Sequence, residues 1–414
     1  MAPLRRALSN LSQKKRSTNL VYIASLLIFF WTIFDVILSY LVPILVTERG
    51  FTNSQMGLIV ASSSFAGAIF DLFLTRFLRS TNYLKTFFLI LLISCLFPFV
   101  LWFSSNIFLY LLAMAIWGLY YDIYTFASYD FVSRNAVTSD QHSRDFGIIE
   151  LFRSMGGLIA PITVTLIVTE RLDFGVFLWP ILFLMVGWCF YILLLSYSPL
   201  HHFHAEDHRH HRPISTLVEI FRWTKLGRTL APVLVFMIII YIFDATFWTI
   251  GPLFSENFPD FHHFSGYLMT LYNLPSLLTA WKVEYLTARF GKKRTAFVSF
   301  LLANLALIPI GFISSPIIIL LLVFVSAIAI SITWPAIEGA FADYTSEAGH
   351  LETEVEGITD LTTNIGYIIG PIAAGIFSDR IGISSSFAVL GVFNVVIIAV
   401  LLIVTPKHIK VPQR

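Results

Sequence analysis

Charge is what this chain has least of. Asp, Glu, Lys and Arg make up 13% of its 414 residues, against 57% apolar, and its mean hydropathy is +0.79. A water-exposed domain of this length could not cover its surface with so little charge, so lipid must be the solvent for most of it. Cysteine is nearly absent. Cys95 and Cys189 both lie in apolar runs, which excludes a disulfide framework and a cysteine-rich metal site. A net charge of +2, with basic residues dispersed over short segments, excludes a nucleic-acid-binding surface. Outer loops above about 15 residues and catalytic signatures are missing too. There is no His-Glu-x-x-His, no Gly-x-Ser-x-Gly and no nucleotide-binding loop, so neither an enzyme nor a cofactor or metal is expected.

What is present is a series of apolar runs of about 20 residues, the length that crosses a bilayer. They fall at 19–46, 54–76, 84–104, 107–130, 145–168, 175–197, 229–254, 264–288, 294–313, 315–340, 357–378 and 384–405. The first is longer than a signal-peptide core and reads as a retained helix. The expected fold class is therefore an all-α membrane protein with twelve transmembrane helices. With a cytoplasmic N-terminus, inner segments hold 22 of the 27 Lys and Arg residues and outer loops hold three, Arg49, Arg171 and Arg380. That bias places both termini in the cytoplasm, in the plasma membrane.

The chain repeats itself. Ile33-Phe34-Asp35 with Pro43 returns 209 residues later as Ile242-Phe243-Asp244 with Pro252, and Gly57 maps onto Gly266. Gly147, Glu150, Gly156 and Pro161 map onto Gly357, Asp360, Gly366 and Pro371 at an offset of 210. One six-helix unit used twice is implied. The expected domains are 1–197 and 229–414, joined by a cytoplasmic linker at 198–228. The linker begins with His201, His202, His204, His208, His210 and His211. A solvated tract is favoured there over a metal site, because no ligand geometry is fixed. Its second half, 213–225, reads as an amphipathic helix on the membrane surface, with Thr216 and Glu219 at capping-box spacing.

These features resemble the major facilitator superfamily. Its loop signature, Gly-x-x-x-Asp-Arg-x-Gly-Arg-Lys, is matched in part by Gly67 and Asp71 after span 2, where Leu72 replaces the arginine. After span 8 the basic end is matched by Arg289-Phe290-Gly291-Lys292-Lys293-Arg294, with Glu284 for the aspartate. The resemblance implies two pseudo-symmetric six-helix bundles rocking about a central cavity, with spans 1, 4, 7 and 10 lining it. It also implies an inner latch between basic and acidic segments. Arg76 and Arg79 would face the acids of 341–358, Glu354 and Glu356 among them, with Asp360 just beyond. Arg289, Lys293 and Arg294 would face Asp145 or Glu150. For Glu150 the bland reading is a local pair with Arg153, three residues on. Gly366 to Pro371 with Gly375 resembles the superfamily's antiporter motif, though close helix packing explains it equally.

A carboxylate deep in an apolar run is costly, and its default reading is functional. At 1.5 Å per residue, Asp35 and Asp244 lie about 21–23 Å from the inner boundary, near mid-membrane. With Asp122 on span 4 they are candidate proton carriers or counter-ions for a cationic substrate. The aromatics Trp31, Tyr121, Tyr124, Trp248 and Trp334 share the cavity-lining spans and are candidate substrate contacts. Ordinary packing accounts for many such rings. The expected function is proton-coupled transport of a small organic solute by a monomer, with efflux of amphipathic or cationic compounds favoured. Uptake of a sugar or other metabolite is the alternative, and a membrane-embedded sensor is the rival from another class.

Overall fold

A computed structural model describes residues 2–77, 82–135, 139–168, 172–198, 216–256, 265–348 and 352–406. Among them are twelve α-helices: α1 (Ala2–Glu48), α2 (Asn53–Phe77), α3 (Tyr83–Phe103), α4 (Ile107–Asn135), α5 (Ser139–Ile167), α6 (Phe174–Tyr197), α7 (Thr216–Glu256), α8 (Ser265–Phe290), α9 (Lys292–Leu307), α10 (Pro316–Ala348), α11 (Glu352–Ile381) and α12 (Ile383–Val404). A 3-10 turn, Ile308–Phe312, follows α9. Each expected span falls on one α-helix, except 294–313, which runs through α9 and the 3-10 turn after it. Among the described residues, ten helical segments are long and apolar enough to cross a membrane. Helices are the form in which an apolar run satisfies its own backbone groups in lipid.

Two expectations for the connections change. The amphipathic segment at 213–225 is not a separate helix, because α7 runs unbroken from Thr216 to Glu256. The acidic stretch 341–358 is not a loop either. Most of it forms the last turns of α10 and the first turns of α11. The histidine tract and Arg79 lie outside the described residues, as do the side chains of Asp71, Arg76, Glu354 and Glu356.

The chain divides into two compact units. One comprises Met1–Val42 and Phe65–Glu206, the other Pro43–Ser64 and Asp207–Arg414. In the first unit α1 is central, with 78% of its apolar window buried against 28% for α5 and for α6. Its neighbours are visible contact by contact. Trp31 donates to Ser94 on α3 at 3.0 Å. Phe30 stacks on Phe190 of α6, and Phe29 meets Phe152 of α5 edge-on. In the second unit α7 holds that place, with 67% of its window buried. Phe236 packs on Phe297 and Phe300 of α9, and Phe247 on Phe387 of α12.

The repeat in sequence is a repeat in contact. A Cβ added to Gly156 of α5 would meet the Phe29 carbonyl at 2.9 Å and the Thr32 Cβ at 3.1 Å on α1. A Cβ added to Gly366 of α11 would meet the Ile238 carbonyl at 3.0 Å and the Tyr241 Cβ at 2.3 Å on α7. Residues 238 and 241 are 29 and 32 moved on by 209. Both units thus bring the same two helices together at the same glycine, as small residues do when helices pack in lipid. Gly370 works alike, with Ala245 and Ile242 of α7 against it. The glycine-proline motif therefore has a packing role here.

Candidate functional site

The first unit gathers its polar and aromatic groups on α1, α4 and α5. Trp117, Tyr120, Tyr121 and Tyr124 recur at helical spacing and share one face of α4. Asp35, only 5% exposed on α1, accepts hydrogen bonds on one oxygen from Trp117 Nε1 at 2.7 Å and Tyr120 Oη at 2.8 Å. Trp31, one turn before it, stacks on Tyr124 with ring centroids 4.4 Å apart. It also lies within 6.4 Å of the Tyr121 ring. Tyr121 in turn accepts a 2.7 Å hydrogen bond from Arg153 Nη2 of α5. The Arg153 guanidinium carbon lies 5.7 Å from the Tyr124 ring centre, within cation–π range. Arg153 also pairs with Glu150 at 3.3 Å, one turn back.

The second unit builds a different setting around its aspartate. Asp244 on α7 accepts one bond on each oxygen, from Tyr272 of α8 at 2.5 Å and from Tyr367 of α11 at 2.6 Å. Tyr367 packs on Tyr241 at 5.5 Å, and Tyr241 on Trp334 of α10 at 5.0 Å. Trp248 is half-buried one turn beyond Asp244. Asp35 and Asp244 thus occupy equivalent turns but take their donors from different helices.

Asp122 stands apart from this group. One or two positions away from the aromatic face of α4, its carboxylate packs on α2, 2.8 Å from where a Gly67 Cβ would be. Gly67, the residue that opens the loop signature, leaves room for it. Of the expected latch residues, Glu150 pairs with Arg153, and Arg289 donates to Tyr285 at 3.1 Å. Lys293 Nζ donates to the Pro406 carbonyl at 2.8 Å. Glu284, Arg294 and Asp360 are exposed. An inner-end pair that the sequence did not single out joins Lys292 to Asp343 at 2.7 Å, with the Gly339 carbonyl at 3.0 Å. Gly291, at φ 83°, makes the one-residue turn from α8 to α9 that puts Lys292 there; few other residues adopt that backbone.

Sequence reasoning missed a second feature, where α2 begins. Thr52 and Gln55 form a reciprocal capping box, each backbone N–H bonded to the other's side chain. The two N–H groups between them, of Asn53 and Ser54, donate to Asp379 of α11 at 3.0 and 2.8 Å, and the Ser54 hydroxyl donates too. A carboxylate suits a helix N-terminus on both charge and hydrogen bonding. Beside it the backbones nearly touch. A Cβ on Gly375 would lie 2.2 Å from the Asn53 carbonyl, and one on Gly57 2.2 Å from that of Pro371. The Thr-x-x-Gln pattern was legible in the sequence, but its partner 325 residues away was not.

This is a polytopic α-helical membrane protein with aromatic-lined polar groups inside each unit. The family match sharpens that description. The profile of the Major Facilitator Superfamily matches residues 20–261 and 236–414, and the chain belongs to that superfamily. No curated protein matches it. Among solved structures, it resembles a bacterial homolog of the human lysosomal transporter Spinster, inward-facing and unoccupied, at TM-score 0.74 and 12% identity, over 94% of this chain and 96% of that one. It also resembles the nucleoside transporter NupG, at TM-score 0.73 and 15% identity, over 95% and 100%. A POT family transporter bound to a thioalcohol-conjugated peptide matches at 0.70 and 15%, over 94% and 96%. These matches are transporters rather than enzymes.

Proposed function

We propose that this chain takes up a small polar metabolite by alternating access, coupled to protons through Asp35 and Asp244. The supporting observation is the setting of these two carboxylates. They stand at the same register of the duplicated unit, and each accepts hydrogen bonds from two neutral side chains. Neutral donors hold a carboxylate in place without fixing its charge, so it can take and release a proton as its surroundings change. Uptake replaces the initial preference for efflux of cations. The similar folds include a nucleoside transporter and a peptide transporter.

On this reading both termini are cytoplasmic, and the moving halves are 1–197 and 229–414. Basic and acidic inner ends pair to close the inner face. Exposed ion pairs are worth about 0–1 kcal/mol each, weak enough to be released in every cycle.

The test is reconstitution in vesicles with an inward proton gradient, using uridine, a dipeptide and glucose as labelled solutes. One of them accumulates, and accumulation collapses with a protonophore. The reading fails if accumulation persists without the gradient or if Asp35→Asn and Asp244→Asn both transport like the parent.

A further inference from the structure

The two units differ most beside their aspartates. Position 153 in the first unit corresponds to 363 in the second, and position 157 to 367. The second unit places Thr363 and Tyr367 there, and the Tyr367 hydroxyl reaches Asp244. The first unit places Arg153 and Gly157. A Cβ on Gly157 would meet no atom within 4 Å, so the position that carries the Tyr367 side chain in one unit has open space at its Cβ in the other. The same fold therefore stands with a threonine at this position, and packing does not demand an arginine in the first unit.

The guanidinium is also held in readiness. Tyr121 fixes one nitrogen and Glu150 meets the other at a long 3.3 Å. Among the described residues these are two hydrogen bonds for a group with five N–H donors. The Tyr124 ring, stacked on Trp31, walls one side. Thr32, one turn before Asp35 and packed at Gly156, has a buried hydroxyl with no hydrogen-bond partner among the described residues.

We propose that Arg153 and the open space at Gly157 form an anion subsite, so that the transported metabolite carries a carboxylate or phosphate beside an unsaturated or aromatic body. This deepens the transport reading and rests on it. Arginine binds such anions by paired N–H donors, and the Trp31–Tyr124 wall receives the flat remainder. Glu150 is the internal counter-ion that an incoming anion displaces.

The experiment is binding of phenylacetate, phenyl phosphate and 2-phenylethylamine to the purified full chain in detergent, followed by calorimetry and by melting temperature. The two anions bind saturably and the amine does not. Arg153→Gln weakens anion binding about tenfold or more, and Arg153→Lys restores part of it. Gly157→Tyr blocks the subsite, while Gly157→Ala leaves it intact. Glu150→Gln tightens anion binding, a gain that misfolding cannot imitate. The inference is overturned if neither anion binds, if the amine binds equally well, if folded Arg153→Gln binds as the parent does, or if Glu150→Gln weakens binding. No membrane is needed, so anion binding that survives a failure of proton-driven uptake supports the subsite alone. Proton-driven uptake of a neutral solute by a chain that binds no anion removes the subsite alone.

Discussion

A single hydroxyl can be taken from Asp244 without touching the carboxylate. Tyr367→Phe keeps the ring contact with Tyr241 and deletes the bond to one oxygen. Losing one donor to a charged group costs about 1–3 kcal/mol, so this variant should slow proton-driven uptake by roughly tenfold or more while exchange down a solute gradient is less affected. Uptake assays with and without the pH gradient separate the two. A second residue-scale prediction concerns polar bonding between helices. Asn394 donates to Asn304 across α12 and α9 at 2.8 Å, both fully buried. Such bonds in membrane proteins average about 0.6 kcal/mol, with a maximum of about 1.7. Asn394→Leu should lower stability by no more than that, read from unfolding in detergent, and should leave transport intact.

At the scale of elements, α2 and α11 meet through backbone rather than side chains. Gly57 and Gly375 leave no room for a methyl group, and Asp379 ties the helix end in place. Gly57→Val should force the crossing apart. A cysteine replacing Met56, fully buried beside it, should then become reactive to a water-soluble maleimide, and in the Gly57 parent it should stay protected. Asp379→Asn keeps the shape and loses the charge at the helix N-terminus, a smaller loss of about 0.3–1 kcal/mol. Its labelling should fall between the two. The glycines of α11 are read in the same way. Gly366 and Gly370 were legible as a motif, but their partners on α7 decide that they serve close packing.

For the whole molecule, the distribution of Lys and Arg sets an orientation that labelling can check. A single cysteine at Thr52 should react from outside the cell, and one at Lys292 only after the membrane is made permeable. The reverse pattern would invert the topology. The twelve helices and their order were legible because an apolar run of membrane length admits few other structures in lipid. The duplicated aspartates were legible because a buried charge stands out against a background that is 13% charged. Asp122 was legible as a charge but not as a neighbour of Gly67, since a one-position shift around α4 decides which helix it meets. The pairing of Glu150 with Arg153 was foreseeable at three-residue spacing. The aromatic wall over that arginine was not, because it comes from α1 and α4.

By itself the sequence determined the class of protein, the number and order of its helices, the repeat, and which carboxylates lie deep in apolar runs. These follow from composition and periodicity, which act along the chain and are indifferent to distant partners. Tertiary structure alone decided which donors hold each aspartate, where Asp379 attaches, and that Gly157 leaves open space at the position equivalent to Tyr367. Those are properties of side chains from different helices meeting at a point. Hydrogen bonds and close packing act over a few ångströms, so only the folded arrangement fixes them.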